Sequence, residues 1–343
     1  MIKKRSVYFL AVALLSVCLA GLWFYLRVFG VSIYPRNGDA VILIPDGARW
    51  LQVKDSLSAH LDIGNINLLE WVSLRKHYPQ AIRPGRYVVR KGISCNQLIN
   101  ILRGGRQSPV TVTFNNIRTL YDLAGRVGGQ IEADSSELIA FLADTGRYSK
   151  DGFSRDDVIS VFIPDSYEFF WNTGADGFYR KMLKEYRKFW TDERSEKAKG
   201  LGLTRKEVSV LASIVREEAT RSDEKPRIAG VYINRLRRGI PLQADPTVKF
   251  AVNNFTISRV LKKHLLIDSP YNTYIYQGLP PGPIDCPSAE DIDAVLNAEK
   301  HDYLFFVAKA DLSGYHNFSR TLGEHNRYAS EYQRELNRRR IFR

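Results

Sequence analysis

The run Thr204-Arg-Lys-Glu-Val-Ser-Val-Leu-Ala-Ser-Ile-Val-Arg-Glu-Glu-Ala-Thr220 carries more folding information than any other part of this chain. Its first four residues spell a capping box: the Thr204 hydroxyl can accept from the amide three residues on, and Glu207 can reach back. The pattern predicts a helix from there to about Thr220. On a wheel of about 100° per residue, Val208, Leu211, Ala212, Val215 and Ala219 share one apolar face. Two adjacent acids near its end differ in position. Glu217 points away from that face into solvent, whereas Glu218 falls at its margin beside Leu211 and Ile214. A carboxyl against apolar side chains loses solvation when charged, so its pKa rises. A raised carboxyl is what a general acid needs near neutral pH. The plain alternative is an exposed acidic pair with Arg216 and Arg221 as partners.

Downstream, Pro226 opens a second helix that stops at Gly239. Its Ile228, Val231 and Tyr232 pack, with Asn234 and Arg235 at the polar margin. Leu242-Gln-Ala-Asp-Pro-Thr247 is too polar for a buried strand and reads as a loop. Tyr271-Asn-Thr-Tyr274 and Gly278-Leu-Pro-Pro-Gly282 follow as rigid turns. Their Asn, Thr and Tyr side chains offer hydrogen bonds and stacking faces that suit sugars, but equally suit loops stitched by their own Asx turns.

Upstream, Val41-Ile-Leu-Ile-Pro45 is a short strand closed by a Pro-Asp-Gly turn. Amphipathic helices are expected over Leu51–His60 and Asn67–Tyr78, then a turn and strand over Arg83–Arg90. Ser94 can cap a helix Cys95–Arg103 that Gly104-Gly105 ends. This strand–helix–helix–strand order makes a compact module of about 65 residues. Val110–Phe114 begins the next region as an alternating strand, with helices near Leu120–Val127, Ser136–Thr145 and Gly177–Trp190. The fold class is α+β. No internal repeat, P-loop, Rossmann glycine pattern, HExxH or GxSxG is present.

The N-terminus sets the compartment. Ser6 to Leu26 is a run of 21 residues without a charge, about 31 Å as a helix against a bilayer core of about 30 Å. Trp23 and Tyr25 lie near its far end, where amphipathic rings favour the interface, and Lys3, Lys4 and Arg5 hold the start in the cytoplasm. An uncleaved single-pass anchor is expected, with residues 1–5 as cytoplasmic tail, 6–28 as the membrane span and the rest outside the cytoplasm. The run is long for a signal-peptide core, and Trp-Phe-Tyr-Leu is a poor cleavage site.

Over 343 residues, 44% are hydrophobic, 12% aromatic and 25% charged, which excludes a disordered or low-complexity chain. The net charge of +13 suggests nucleic acid, but the N-terminal cluster accounts for +3 and the tail Arg334–Arg343 for +4. What remains is ordinary for a chain this long, so nucleic acid is not an expected partner. Three cysteines, Cys18, Cys95 and Cys286, form no CxxC and no zinc pattern. His264, His301, His316 and His325 show no metal spacing and read as structural or exposed. No metal and no cofactor are expected.

The chain resembles the YceG-like (MltG-type) endolytic murein transglycosylases. The matching residues are Leu211-Ala-Ser-Ile-Val-Arg-Glu-Glu218, Val231-Tyr-Ile-Asn-Arg-Leu236, Leu242-Gln-Ala-Asp-Pro-Thr-Val248, Tyr271-Asn-Thr-Tyr274, Gly278-Leu-Pro-Pro-Gly-Pro-Ile284 and Tyr303-Leu-Phe-Phe-Val307. His316-Asn-Phe318, His325-Asn326 and Phe162-Ile-Pro-Asp-Ser-Tyr167 fit as well. The resemblance implies an N-terminal transmembrane helix, a small LysM-like subdomain over 38–106 and a larger α+β catalytic domain over 107–343. It implies cleavage of the β-1,4 bond between N-acetylmuramic acid and N-acetylglucosamine within peptidoglycan strands, leaving 1,6-anhydro-muramyl ends and so terminating or trimming nascent strands. The catalytic acid of the family falls on Glu218. The chain departs from the family pattern at Arg216, where a Glu is usual, at Ser166, where Thr is commoner, and at Cys286-Pro-Ser288, where Asn-Pro-Gly is usual.

Ordinary glycosidases need two carboxyls; the resemblance implies one, with the substrate's own 6-hydroxyl as nucleophile. Candidate substrate-binding residues are Asn234, Arg235, Gln243, Asp245, Thr247, Tyr271, Asn272, Thr273 and Tyr274. Each could instead hold its loop, and Pro246 and Gln243 suggest an Asx role for Asp245. Expected partners are peptidoglycan strands, penicillin-binding proteins and the bacterial plasma membrane, with the catalytic domain periplasmic or extracellular. The competing class is a non-catalytic peptidoglycan-binding scaffold for cell-wall synthases.

Overall fold

The computed structural model describes residues 2–257 and 260–341. Met1 of the expected tail, the side chains of Lys3, Lys4 and Arg5, and Phe342 and Arg343 of the basic run lie outside the described residues. The chain is α+β and divides into two compact units. One holds the residues up to Val112 with two later returns, 130–133 and 167–174; the other holds the rest.

In the first unit, α1 (Ile2–Phe29) is followed by β1 (Ile33–Pro35), β2 (Ala40–Ile44), α2 (Trp50–His60), β3 (Leu61–Ile63), α3 (Ile66–Arg75), β4 (Gly85–Val89) and α4 (Cys95–Gly104). From Val7 to Phe29, α1 is long and apolar enough to cross a membrane. β2 and β4 pair antiparallel from Ala40 opposite Val89 to Ile44 opposite Gly85. Alternate residues of β2, Ala40, Ile42 and Ile44, turn into a core shared with Leu57, Leu69, Tyr87 and Leu98. α4 starts and stops on local chemistry. Ser94 and Gln97 close a capping box, and Gly105, at φ 65°, ends the helix in the left-handed conformation that glycine adopts without strain. The antiparallel pair β1–β3 is new to the sequence reading, because three-residue strands leave no alternation to detect.

The chain continues through β5 (Val110–Phe114), α5 (Leu120–Val127), α6 (Ser135–Ala143), β6 (Asp165–Phe169), α7 (Ala175–Phe189) and α8 (Asp192–Leu201). It ends with α9 (Arg205–Glu218), α10 (Lys225–Arg237), α11 (Asp245–Ala251), α12 (Ala289–Leu296), the hairpin β7 (Phe305–Ala308) and β8 (His316–Ser319), and α13 (Leu322–Arg338). The second unit is organised around α9, which packs against α10, α11 and α12. Its capping box is formed as the sequence predicts: Glu207 N–H donates to Thr204 Oγ1 at 3.2 Å, and Thr204 N–H to Glu207 Oε2 at 2.7 Å.

Two expectations for this region need correction. α9 is not amphipathic in its middle, because Val208 to Val215 are buried without a break, Ser209 and Ser213 included. Those serines satisfy themselves on the helix's own carbonyls, Ser209 on Arg205 O and Ser213 on Val210 O, which lets polar residues stand where a wheel demands apolar ones. The helix also ends at Glu218, because Ala219 is extended (φ −83°, ψ 111°). Likewise, Asp245 does not lie in a loop. It opens the short helix α11, with Pro246 at a position where a missing N–H costs nothing.

Candidate active site

Ending α9 at Glu218 places that carboxyl at the rim of the packed bundle, and a cleft of about 310 Å³ opens beside it. Six segments of the second unit build the walls. α9 supplies Glu218; α10 supplies Tyr232 and Arg235, three residues apart and so on one face. The turn into α11 supplies Leu242, Gln243 and Asp245, and the loop beyond supplies Tyr274. β7 and the first turn of α13 complete it with Phe305, Phe306, Leu322 and His325.

Burial pushes the Glu218 carboxyl up to about 7, and the negative charge of Asp245 adds to the rise. Hydrogen bonding to Tyr232 and the charge of Lys249 pull it partly back. Asp245 accepts the Tyr274 hydroxyl at 2.6 Å. Burial and that bond raise the Tyr274 phenol above its ordinary range, so it stays a donor. Arg235 is buried and spends its guanidinium on the backbone: Nε donates to Leu304 O at 2.6 Å and Nη1 to Leu242 O at 2.8 Å. It thus pins β7 to the 242–245 turn and stacks on Phe305, 5.1 Å from the ring centre. Gln243 holds φ at 51°, a conformation a non-glycine residue keeps only when its surroundings fix it. The fixing bond is Gln243 N–H to Thr273 O at 3.0 Å.

Of the ten residues singled out in the sequence, the cleft gathers Glu218, Arg235, Gln243, Asp245 and Tyr274. The other five stand apart from it and serve the scaffold. Asn234 donates to His301 O at 2.7 Å and Tyr303 O at 3.1 Å. Thr247 and Thr273 are buried and bonded to each other through their hydroxyls at 2.8 Å. Asn272, also buried, donates to Leu265 O and Ile267 O and accepts from Tyr274 N–H, an Asx turn. Tyr271 packs on Phe250 and reaches Asp156. Arg235 belongs to both descriptions, and it is buried rather than at a polar margin.

Tyr232, Leu242, Phe305, Phe306, Leu322 and His325 line the cleft without having been singled out. All but Leu322 belong to the matched motifs, while periodicity could not tell a cleft-facing aromatic from a core one. His325, read from the sequence as structural or exposed, packs into the cleft wall. Its ring stacks beside Phe305, and burial lowers its pKa. Among the described residues no group of three His, Cys, Asp or Glu side chains is placed to hold a metal ion.

The neighbours of Glu218 on α9 face elsewhere. Glu217 pairs with Arg118 at 2.8 Å. Arg216 donates to Cys286 O and to Asn116 Oδ1 at 2.8 Å, and its Nε lies 3.5 Å from buried Asp285. Arg221 bonds Ser313 O. Neither Arg216 nor Arg221 is thus the partner of an exposed acidic pair. The unusual Arg216 and the unusual Cys286-Pro-Ser segment touch each other.

A model of the YceG-like family matches residues 42–331. The endolytic murein transglycosylase of Bacillus subtilis is 31% identical over 264 residues, covering 72% of each chain. That of Streptococcus pneumoniae is 27% identical over 367 aligned positions, 96% of this chain and 65% of the relative. A crystal structure of a YceG-like protein from Listeria monocytogenes aligns with a TM-score of 0.55 at 24% identity. It covers 84% of this chain and 98% of that one, a likeness of fold.

Proposed function

The chain belongs to the YceG-like family, and from that premise we propose that it works as a single-carboxyl enzyme with Glu218 as acid and then base. By homology over most of its length it is an endolytic murein transglycosylase, a lyase that cuts within peptidoglycan strands. The observation that carries the Glu218 assignment is its carboxyl, raised to about 7, on the wall of an open cleft.

Protonated Glu218 gives its proton to the leaving 4-oxygen of the β-1,4 bond. The bond to muramic acid C1 breaks, and the electron pair leaves with that oxygen. The carboxylate so formed takes the proton of the muramic acid 6-hydroxyl as that oxygen attacks C1 and closes the 1,6-anhydro ring. Glu218 ends the cycle protonated, and no water enters the products. Asp245, on the wall of the same cleft, is the group that offsets the positive charge developing at C1 in this reading. Held by Tyr274, it supplies a negative charge in the same cleft. The half-buried rings of Phe305 and Phe306 offer stacking faces for sugar.

The antiparallel pair β2–β4 with the two helices α2 and α3 between its strands, the short β3 intervening, supports reading the small module as LysM-like. The length and apolarity of α1, with Lys3, Lys4 and Arg5 before it, support an anchor with its start in the cytoplasm. So held, the enzyme works on the outer side of the membrane, where penicillin-binding proteins extend the strands.

The test is digestion of purified glycan strands in water enriched in ¹⁸O. Products lighter by one water than hydrolysis products, with no label, are expected. Labelled reducing muramic acid would make the enzyme a hydrolase and Asp245 its second carboxylate.

A further inference from the structure

The first unit is electrically lopsided. Its acids between β1 and α3, Asp39, Asp46, Asp55, Asp62 and Glu70, all precede Trp71, and no Asp or Glu occurs from Trp71 to Tyr121. Up to Val112, where the unit's first segment ends, Arg75, Lys76, Arg83, Arg86, Arg90, Lys91, Arg103 and Arg106 follow one another. Four of these, Arg83, Lys91, Arg103 and Arg106, converge on one groove of about 1000 Å³, with Gln97 and Asn100 as neutral donors on its wall. Among the described residues none of the four forms an ion pair with a carboxylate. Four unneutralised cations around one concavity repel each other, an arrangement that favours an anion within it.

The groove also has a fixed address. Its lining begins at Val31, two residues beyond the end of α1. α1 does not leave the unit on a free tether: Val28 is buried in the module's core, and α1 packs on α4. Phe24, still within the apolar span, meets Trp71 of α3 edge-on at 5.1 Å. Trp71 and Leu74 are exposed on that helix, with Arg75 over the Trp71 ring. An exposed tryptophan, a leucine and an arginine beside the last turns of a membrane-length helix have the composition of a bilayer interface.

We infer that the first unit lies on the bilayer surface, Trp71 and Leu74 entering the interface and the groove holding the phosphates of anionic lipid headgroups. This rests on reading α1 as an anchor. It gives the groove a role separate from glycan cleavage: it fixes the height and tilt of the unit on the membrane. Each cation near an anionic surface should change the affinity about fivefold, and raising salt should weaken the association because the screening length falls below groove dimensions.

The experiment uses the full chain in nanodiscs of phosphatidylglycerol and, separately, of phosphatidylcholine, read by amide hydrogen exchange. Co-elution of protein with disc settles the anchor reading first; failure to co-elute would remove the premise and is distinct from failure of the groove. In phosphatidylglycerol, exchange over residues 81–84 and 91–106 should slow at least tenfold relative to phosphatidylcholine, and Trp71 emission should shift to the blue. The change should reverse in Arg83→Gln/Arg103→Gln and in the fourfold glutamate reversal that adds Lys91 and Arg106. The wild-type comparison between lipids needs no variant to fold. Equal exchange in the two lipids would overturn the proposal. So would protection in phosphatidylcholine discs on adding inorganic phosphate or glycan strands, since the groove would then serve a soluble anion or the polysaccharide.

Discussion

Two buried-acid sites flank the last turns of α9, and only one of them opens on a cleft. Burial and the charge of Asp245 raise Glu218 to about 7, and its carboxyl faces free space. Asp285 is raised as well, by burial that outweighs the pull of Arg216, with the charge of Glu217 and its hydrogen bond to Asp285 adding to the rise. Yet it lies in a packed knot. Arg216 ties Asp285 to Cys286 O and Asn116, while Lys225 meets Asp291 at 2.7 Å. Perturbed acidity therefore marks both the proposed catalytic group and a structural one, and what separates them is access for a substrate.

That contrast breaks most visibly at Glu218. Glu218→Gln should bind glycan but lose about 10³-fold or more in turnover, because an amide can neither give nor take the proton. Stability should move the other way. The carboxyl sits at about 7 in the fold against an ordinary 4.5, so between those values the folded state holds a proton that the unfolded chain has lost. Wild-type stability therefore falls as pH rises from 4.5 through 7, by about 3 kcal/mol once above 7. In urea titrations the variant should exceed wild type by roughly that amount at pH 8.5 and match it at pH 4. Parity at both values would mean that Glu218 is not desolvated.

The knot should answer oppositely. Arg216→Met leaves Cys286 O and Asn116 Oδ1 without their donor and removes the cation beside Asp285, and should cost about 1–3 kcal/mol of unfolding free energy. Turnover at low temperature should change less than threefold. A large drop in turnover with unchanged stability would move Arg216 into the catalytic machinery.

Asn272 sharpens the line between loop-holding and sugar-holding. Asn272→Ala loses bonds to two carbonyls and one amide, and about 1–3 kcal/mol of stability should go with them. A raised KM with no loss of stability would instead make it a sugar ligand. The smallest effect belongs to Glu217, whose pair with Arg118 is partly solvated. Glu217→Gln should keep turnover within about twofold and stability within about 1 kcal/mol.

What the sequence made legible follows from range. Capping boxes and short periodic runs act within four residues, so α9, α4 and α5 could be read with their ends nearly in place. Glu218 could be separated from Glu217 because one turn of helix sets which neighbour each meets. The loops were ambiguous for a physical reason. Asn, Thr and Tyr in turns have the same donors whether they bind sugar or their own backbone, and only folding shows that Asn272, Thr273 and Thr247 are already satisfied. The burial of Arg235 depended on carbonyls 7 and 69 residues away. The place of His325 depended on the hairpin it stacks beside. Neither lies within the reach of a local pattern.

The central claim is the protonation of one side chain, and it can be observed directly. With glutamate labelled at the carboxyl carbon, the Glu218 resonance is assigned by its absence from Glu218→Gln, and its ¹³C shift is followed with pH in the full chain. A midpoint near 7 is predicted, well above the other glutamates. A midpoint near 4.5 would contradict the account, since Glu218 would then be charged at neutral pH and could not begin the reaction as an acid.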